Sequence, residues 1–295
     1  MGRSRLQRLK NGLIYAALRA GSSVGVRMSL SSARSIGKRT GAVACALLQK
    51  ERRKALESLS IAFPELEPEA RDRLARSSFA HLGCSLLEIA WLPNLSHGNL
   101  DETTSFEGLG NLRDAVAIGR GVVLFTGHCG NWEWLAAAIG LSGLSMNVIA
   151  RELYDPRLND FIVASRGRHD IATIGRGSSS SAREVLRTLR GGAILGLMID
   201  QNIRVQRVMV PFFGRPAPTP IGPAKLAIRA GAVAIAGFIE RRGDRQHVRF
   251  EPPIETSRAT DATELTARMT AAVEQQIRRV PEQWVWMHQR WRDRG

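Results

Sequence analysis

Residues 121–139 read Gly121-Val122-Val123-Leu124-Phe125-Thr126-Gly127-His128-Cys129-Gly130-Asn131-Trp132-Glu133-Trp134-Leu135-Ala136-Ala137-Ala138-Ile139. Four apolar side chains in a row after a glycine suit a strand buried on both faces, as in a parallel sheet. Gly127 and Gly130 allow a tight turn, and the residues from Trp132 onward form a helix readily. Strand, turn and helix in that order form the repeating unit of a layered α/β fold, whose ligand sites lie outside the carboxyl ends of its strands. His128 emerges at such an end.

The same grammar continues along the chain. Strands are predicted at 146–150, 193–199, 208–213, 233–240 and 247–251, alternating with helices near 156–166, 181–189, 220–230 and 263–280. The uncharged stretch 134–150 is divided by Gly140, Ser142, Gly143 and Ser145, which argues for helix, turn and strand over a membrane span. Before residue 95 the pattern is helical. Apolar residues recur at helical intervals over 6–59, Phe63-Pro64-Glu65-Leu66 breaks them, and 69–91 forms a second amphipathic helix. The expected organisation is a basic helical arm, 1–95, followed by an α/β domain, 96–295.

Charge is concentrated in that arm. The chain carries a net charge of +15, of which residues 1–54, with thirteen Lys/Arg and the single acid Glu51, contribute +12. Such a segment suits nucleic-acid phosphates or an anionic leaflet, where each cation contributes about 1 kcal/mol. Residues 13–30 are interrupted by Arg19 and Arg27 and fall short of a span, so the arm is expected to lie at a membrane interface. Cys45, Cys84 and Cys129 are too few and too widely spaced for a disulfide framework or a zinc site, which fits a reducing compartment.

His128 and Glu133 are the residues on which chemistry is expected. On one continuous helix, five positions apart, they would point about 140° away from each other. With His128 before the helix and Glu133 in its first turn, the carboxylate is expected to reach the imidazole Nδ1–H and fix the tautomer. The pair would then take a proton from a hydroxyl as it attacks a thioester carbonyl. Cys129, although adjacent, is not expected to act as a nucleophile.

Several motifs together resemble the late acyltransferases of lipid A biosynthesis, a bacterial family that includes phosphatidylinositol mannoside acyltransferases. They are Ala62-Phe63-Pro64-Glu65-Leu66, Phe125-Thr126-Gly127-His128-Cys129-Gly130-Asn131-Trp132-Glu133, Asp200-Gln201-Asn202, Val210-Pro211-Phe212-Phe213-Gly214-Arg215-Pro216-Ala217 and Pro281-Glu282-Gln283-Trp284. The resemblance implies a glycerolipid-acyltransferase-like layered sheet flanked by helices, with a membrane-associating N-terminal arm. It implies a His/acid pair at His128 and Glu133, and candidate substrate contacts at Asn131, Arg151, Arg166, Asp200 and Gln201. Asp200, at the end of a buried strand, would orient His128 or position the acceptor hydroxyl. Val210–Pro216 would line an acyl channel or belong to the core, and Trp284, Trp286, Trp291, Arg290 and Arg292 would sit at the headgroup level or pack on the domain.

The implied activity is transfer of a fatty acyl group from acyl carrier protein or coenzyme A, acting as co-substrate with no resident cofactor or metal, to a hydroxyl of a lipid A precursor or related glycolipid. The implied setting is the cytoplasmic face of the bacterial inner membrane, with a monomer bound to an anionic surface and no nucleic-acid partner. The alternatives are a glycerophospholipid acyltransferase of the lysophosphatidic acid type and, from the pI of about 11.1, a nucleic-acid-binding protein. Against the latter, the α/β part is nearly neutral and no nucleic-acid motif occurs.

Overall fold

A computed structural model describes residues 21–151, 155–176 and 179–292. The chain centres on a seven-stranded sheet. Its strands are β1 (Thr104–Glu107), β2 (Val122–Thr126), β3 (Met146–Arg151), β4 (Ile171–Arg176), β5 (Ile194–Met198), β8 (Val233–Arg242) and β9 (Arg245–Phe250), in the spatial order β1-β9-β8-β2-β5-β3-β4. Within this sheet only β8 and β9 pair antiparallel. Every residue of β2 is buried, as its continuous apolar run requires of a central parallel strand. Between β5 and β8 the chain forms a separate hairpin, β6 (Arg207–Phe212) and β7 (Arg215–Pro220). Phe213 (φ 52°) and Gly214 (φ 68°) both take the left-handed backbone conformation that lets a two-residue turn match the right-handed twist of its strands.

Helices cover both faces. Beyond residue 29, and among the described residues, the α-helices are α1 (Leu30–Leu47), α2 (Gln49–Ala62), α3 (Pro68–Trp91), the short α4 (Leu100–Thr103), α5 (Leu109–Ala117), α6 (Trp132–Leu141), α7 (Pro156–Gly167), α8 (Ser179–Arg190), α9 (Gly222–Ala230) and α10 (Ala262–Arg279). Within the described residues the helical stretch expected over 6–59 is therefore a helical piece at 21–25 followed by two helices, α1 and α2, that are separated at Leu48 (φ −90°, ψ 61°). Residues 1–20, which hold the start of the expected interfacial segment, lie outside the described residues.

The helices before residue 95 share one core with the sheet. Leu59, Phe63 and Phe79 belong to the same buried cluster as Phe125, Leu195 and Val273. Helices α1 and α3 cross closely because Gly41 brings no side chain to the crossing, where a Cβ would meet the Phe79 carbonyl oxygen at 2.2 Å. Under this crossing Glu88, fully buried, collects Arg34 Nε (2.6 Å), Arg241 Nε and Nη2 (2.9 and 2.8 Å), Asn131 Nδ2 (3.1 Å) and Gln246 Nε2 (2.9 Å). Burial alone would raise this carboxyl, but the two guanidinium groups hold it below the usual carboxylate range. One carboxylate thus ties α1, α3, the sheet and the turn before α6 together.

On the outer side of α1, Ile36, Val43 and Leu47 form an exposed stripe, Leu47 being 75% exposed. Among the described residues no helix is long and apolar enough to cross a membrane.

Candidate active site

Thr126 and Met198 end the adjacent strands β2 and β5 in register with each other. Two residues beyond each end stand His128 and Asp200, so the pairing of the strands brings the two side chains together. Asp200 Oδ1 lies 2.7 Å from His128 Nδ1, and Oδ2 accepts the His128 backbone N–H at 2.7 Å. Trp284 Nε1 donates to the same Oδ2 at 2.7 Å. Burial by itself would raise the Asp200 carboxyl, yet the facing imidazole and these three donors outweigh it and hold the group down at about 2. An ionised carboxylate only accepts, so His128 carries its proton on Nδ1 and leaves Nε2 as the basic atom. Among the described residues nothing hydrogen-bonds Nε2, and the ring lies edge-on to Trp132 at 5.0 Å.

The turn that carries His128 depends on Gly130. Its φ is +66°, and a Cβ there would lie 2.1 Å from the Ile239 carbonyl oxygen. Asn131 then caps α6 by accepting the Trp134 N–H at 3.2 Å. Its side chain is buried and engaged with Glu88, and it does not line the cavity beside His128. The expectation that Asn131 contacts substrate is therefore replaced by a cap and an anchor for the turn.

Glu133 also differs from expectation. Both of its oxygens accept from Arg166, at 3.0 Å from Nε and 2.5 Å from Nη2, in a fork that closes α6 against the end of α7. Asp200 holds the place at Nδ1 that Glu133 was expected to fill. The physical reason is topological: β5 inserts beside β2, so a strand-end carboxylate approaches the imidazole directly, while a guanidinium meets Glu133 across the helices.

His128, Glu133, Arg166 and Gln201 line one cavity of about 730 Å³, within the usual range for small-molecule sites. Much of its wall is apolar, formed by Leu124, Leu135, Met146, Val148 and Leu197, with Gly196 adding no side chain. Met198 and Val205, 39% and 40% exposed, carry that apolar lining out to the surface. Arg151 ends β3, paired with Arg176 of β4; its side chain is outside the described residues. Among the described residues no group of His, Cys, Asp and Glu is arranged to hold a metal ion.

Cys129 is buried, and burial together with the nearby charge of Asp200 pushes its thiol well above the ordinary value, which does not suit a nucleophile. Phe212 and Phe213 are core residues, not cavity wall. They pack against Trp284, Trp286 and Trp291, with Arg278 4.4 Å over the Phe213 ring. Trp284, Trp286 and Arg290 are likewise buried, which settles the choice left open for them: they pack on the domain. Trp284 was missed as a partner of Asp200; its only signal was a place in the Pro281-Glu282-Gln283-Trp284 motif.

The profile of one family, described as bacterial lipid A biosynthesis acyltransferase, matches residues 3–293. The chain belongs to the bacterial lipid A biosynthesis acyltransferase family. Relatives of this acyltransferase include the lipid A biosynthesis palmitoleoyltransferase of Escherichia coli (strain K12), 29% identical over 268 residues that span 88% of this chain and 84% of that protein. The phosphatidylinositol mannoside acyltransferase of Mycolicibacterium smegmatis is 28% identical over 226 residues, 75% of this chain and 73% of the relative. The lipid A biosynthesis lauroyltransferase of Escherichia coli (strain K12) is 25% identical over 270 residues, 88% and 85% of the two chains.

Proposed function

We propose that this acyltransferase moves a fatty acyl group from an acyl thioester, of acyl carrier protein or coenzyme A, to a hydroxyl of a lipid A precursor or related glycolipid. One observation carries the reading: a histidine whose Nδ1 is held by a buried carboxylate lines a cavity whose wall is mostly apolar. The acyl chain lies along the apolar wall, with its thioester carbonyl beside His128.

In this reading Nε2 takes the proton of the acceptor hydroxyl as its oxygen attacks the carbonyl carbon. Asp200 stabilises the imidazolium that forms. The oxyanion faces Arg166, held in place by Glu133, and the first N–H groups of α6. As the intermediate collapses, the carbon–sulfur bond breaks and His128 returns the proton to the departing thiolate. Arg151 and Gln201 serve as contacts to anionic or polar parts of the two substrates. The basic N-terminal segment and the exposed stripe Ile36, Val43 and Leu47 hold the site against the cytoplasmic face of the inner membrane.

Lipid mass spectrometry of a host with and without the gene tests this reading. The expected result is a glycolipid lacking one acyl group, restored by the wild-type gene and not by His128→Ala. An unchanged lipid profile would overturn the function, and full restoration by His128→Ala would overturn the role of the imidazole. Purified enzyme offered glycerol-based acceptors should leave them unacylated.

A further inference from the structure

The two oxygens of Asp200 have different partners, and a terminal carboxylate torsion is broad, so nothing within the side chain itself holds the carboxylate plane at the angle that aims an oxygen at His128 Nδ1. The His128 backbone N–H cannot decide it independently, because it belongs to the residue being oriented. Among the described residues, the Trp284 indole is the donor to Asp200 that comes from elsewhere in the fold.

Trp284 is well placed to impose an orientation. Its ring is buried and packs edge-on against Trp286 at 4.6 Å and Phe212 at 5.9 Å. Its backbone bridges to Cys129, beside His128, and the preceding Gln283 carbonyl accepts the Gly130 N–H at 2.8 Å. The Gln283 side chain is itself clamped to both backbone groups of Arg241, at 2.8 and 3.0 Å. The segment is thus stitched to the turn that carries the imidazole while its indole reaches the carboxylate that orients it.

We propose that Trp284 is a positioning residue for acyl transfer: its indole N–H fixes the rotation of the Asp200 carboxylate, and through it the tautomer and aim of His128. The inference rests on the proposed function, in which His128 is the base. In metal sites, removing an outer partner that orients a histidine typically changes activity about 10- to 100-fold, and a donor behind the carboxylate of His128 acts on the imidazole in the same indirect way.

Trp284→Phe keeps an aromatic ring and deletes the donor. Trp286→Phe is the matched control, since its indole donates instead to the Pro281 carbonyl at 2.6 Å in the same cluster. The expected result is a kcat lowered about 10- to 100-fold in Trp284→Phe with KM changed less than about twofold, and a kcat near wild type in Trp286→Phe. Adding Trp284→Phe to Asp200→Asn should then cost no further kcat. Equal losses in the two tryptophan variants, or losses that add to that of Asp200→Asn, would reduce Trp284 to a core residue and overturn the inference.

A measurement independent of activity, and of whether Trp284→Phe folds, is the NMR shift of the Trp284 indole proton. It should move upfield on Asp200→Asn, and an unmoved resonance would overturn the inference. A moved resonance in a protein that transfers no acyl group would instead count against the proposed function alone.

Discussion

Replacing Glu88 with glutamine changes one atom and should cost about 3–5 kcal/mol of stability. Glu88 Oε1 accepts from Arg34 and Arg241, and Oε2 from Arg241, Asn131 and Gln246. An amide nitrogen at the first position faces two guanidinium donors, and at the second it faces three donors. Either way at least two charge-assisted hydrogen bonds, worth about 1.5–3 kcal/mol each, are lost, and two buried cations remain without an anion. Urea unfolding followed by fluorescence of the stacked pair Trp91 and Trp134 reads the effect as a lower midpoint at unchanged slope. Glu255→Gln serves as the control, because its ion pair with Arg120 is exposed and should be worth less than about 1 kcal/mol. A Glu88→Gln loss no larger than that of Glu255→Gln would refute the reasoning.

His81 makes a prediction about pH. Burial and the adjacent Arg241 push it down to about 3, against the attraction of Glu88. Unfolded chain takes up that proton near 6.5, so it binds more protons than folded protein between about 6.5 and 3, and stability falls as pH drops through that window by about 1.4 kcal/mol per unit. Thermal melts between pH 7 and pH 5 should show the slope, and His81→Asn should flatten it; an identical slope in both proteins would contradict the assignment. Gly196→Leu tests the acyl site. A Cβ there already meets Met146 Cε at 2.5 Å, so a larger side chain fills the cavity wall and should shift the transferred chain to fewer carbons, at about 0.8 kcal/mol per excluded methylene. An unchanged product profile would place the acyl chain elsewhere.

Much of the fold was legible because burial imposes local patterns. The apolar run of β2 marked a central parallel strand, and both His128 and Asp200 were visible as residues at strand ends. Less legible were elements whose local chemistry points the other way. Strand β7 contains Pro216, Pro218 and Pro220, which cannot donate to a ladder and are tolerated only in a short hairpin. Edge strand β1 spans only four residues, and β1 and β4 each pair with a single neighbour, β9 and β3.

Strand order was the decisive missing information. Glu133 is close to His128 in the chain, whereas Asp200 is 72 residues away and reaches Nδ1 only because β5 lies next to β2. The same holds for Trp284, 84 residues from Asp200. Asn131 sat inside a chemically suggestive motif and proved to be a helix cap, a role that requires knowing Glu88 lies behind it.

The central claim is that a His128–Asp200 pair, with the carboxylate ionised and the imidazole proton on Nδ1, performs acyl transfer. Its most direct test is kcat of purified Asp200→Asn with an acyl thioester and a glycolipid acceptor, alongside a melt showing that the variant is folded. An asparagine of the same shape no longer demands the Nδ1–H tautomer, so kcat should fall about 10³- to 10⁴-fold. A folded Asp200→Asn enzyme that retains kcat within about tenfold of wild type would contradict the account.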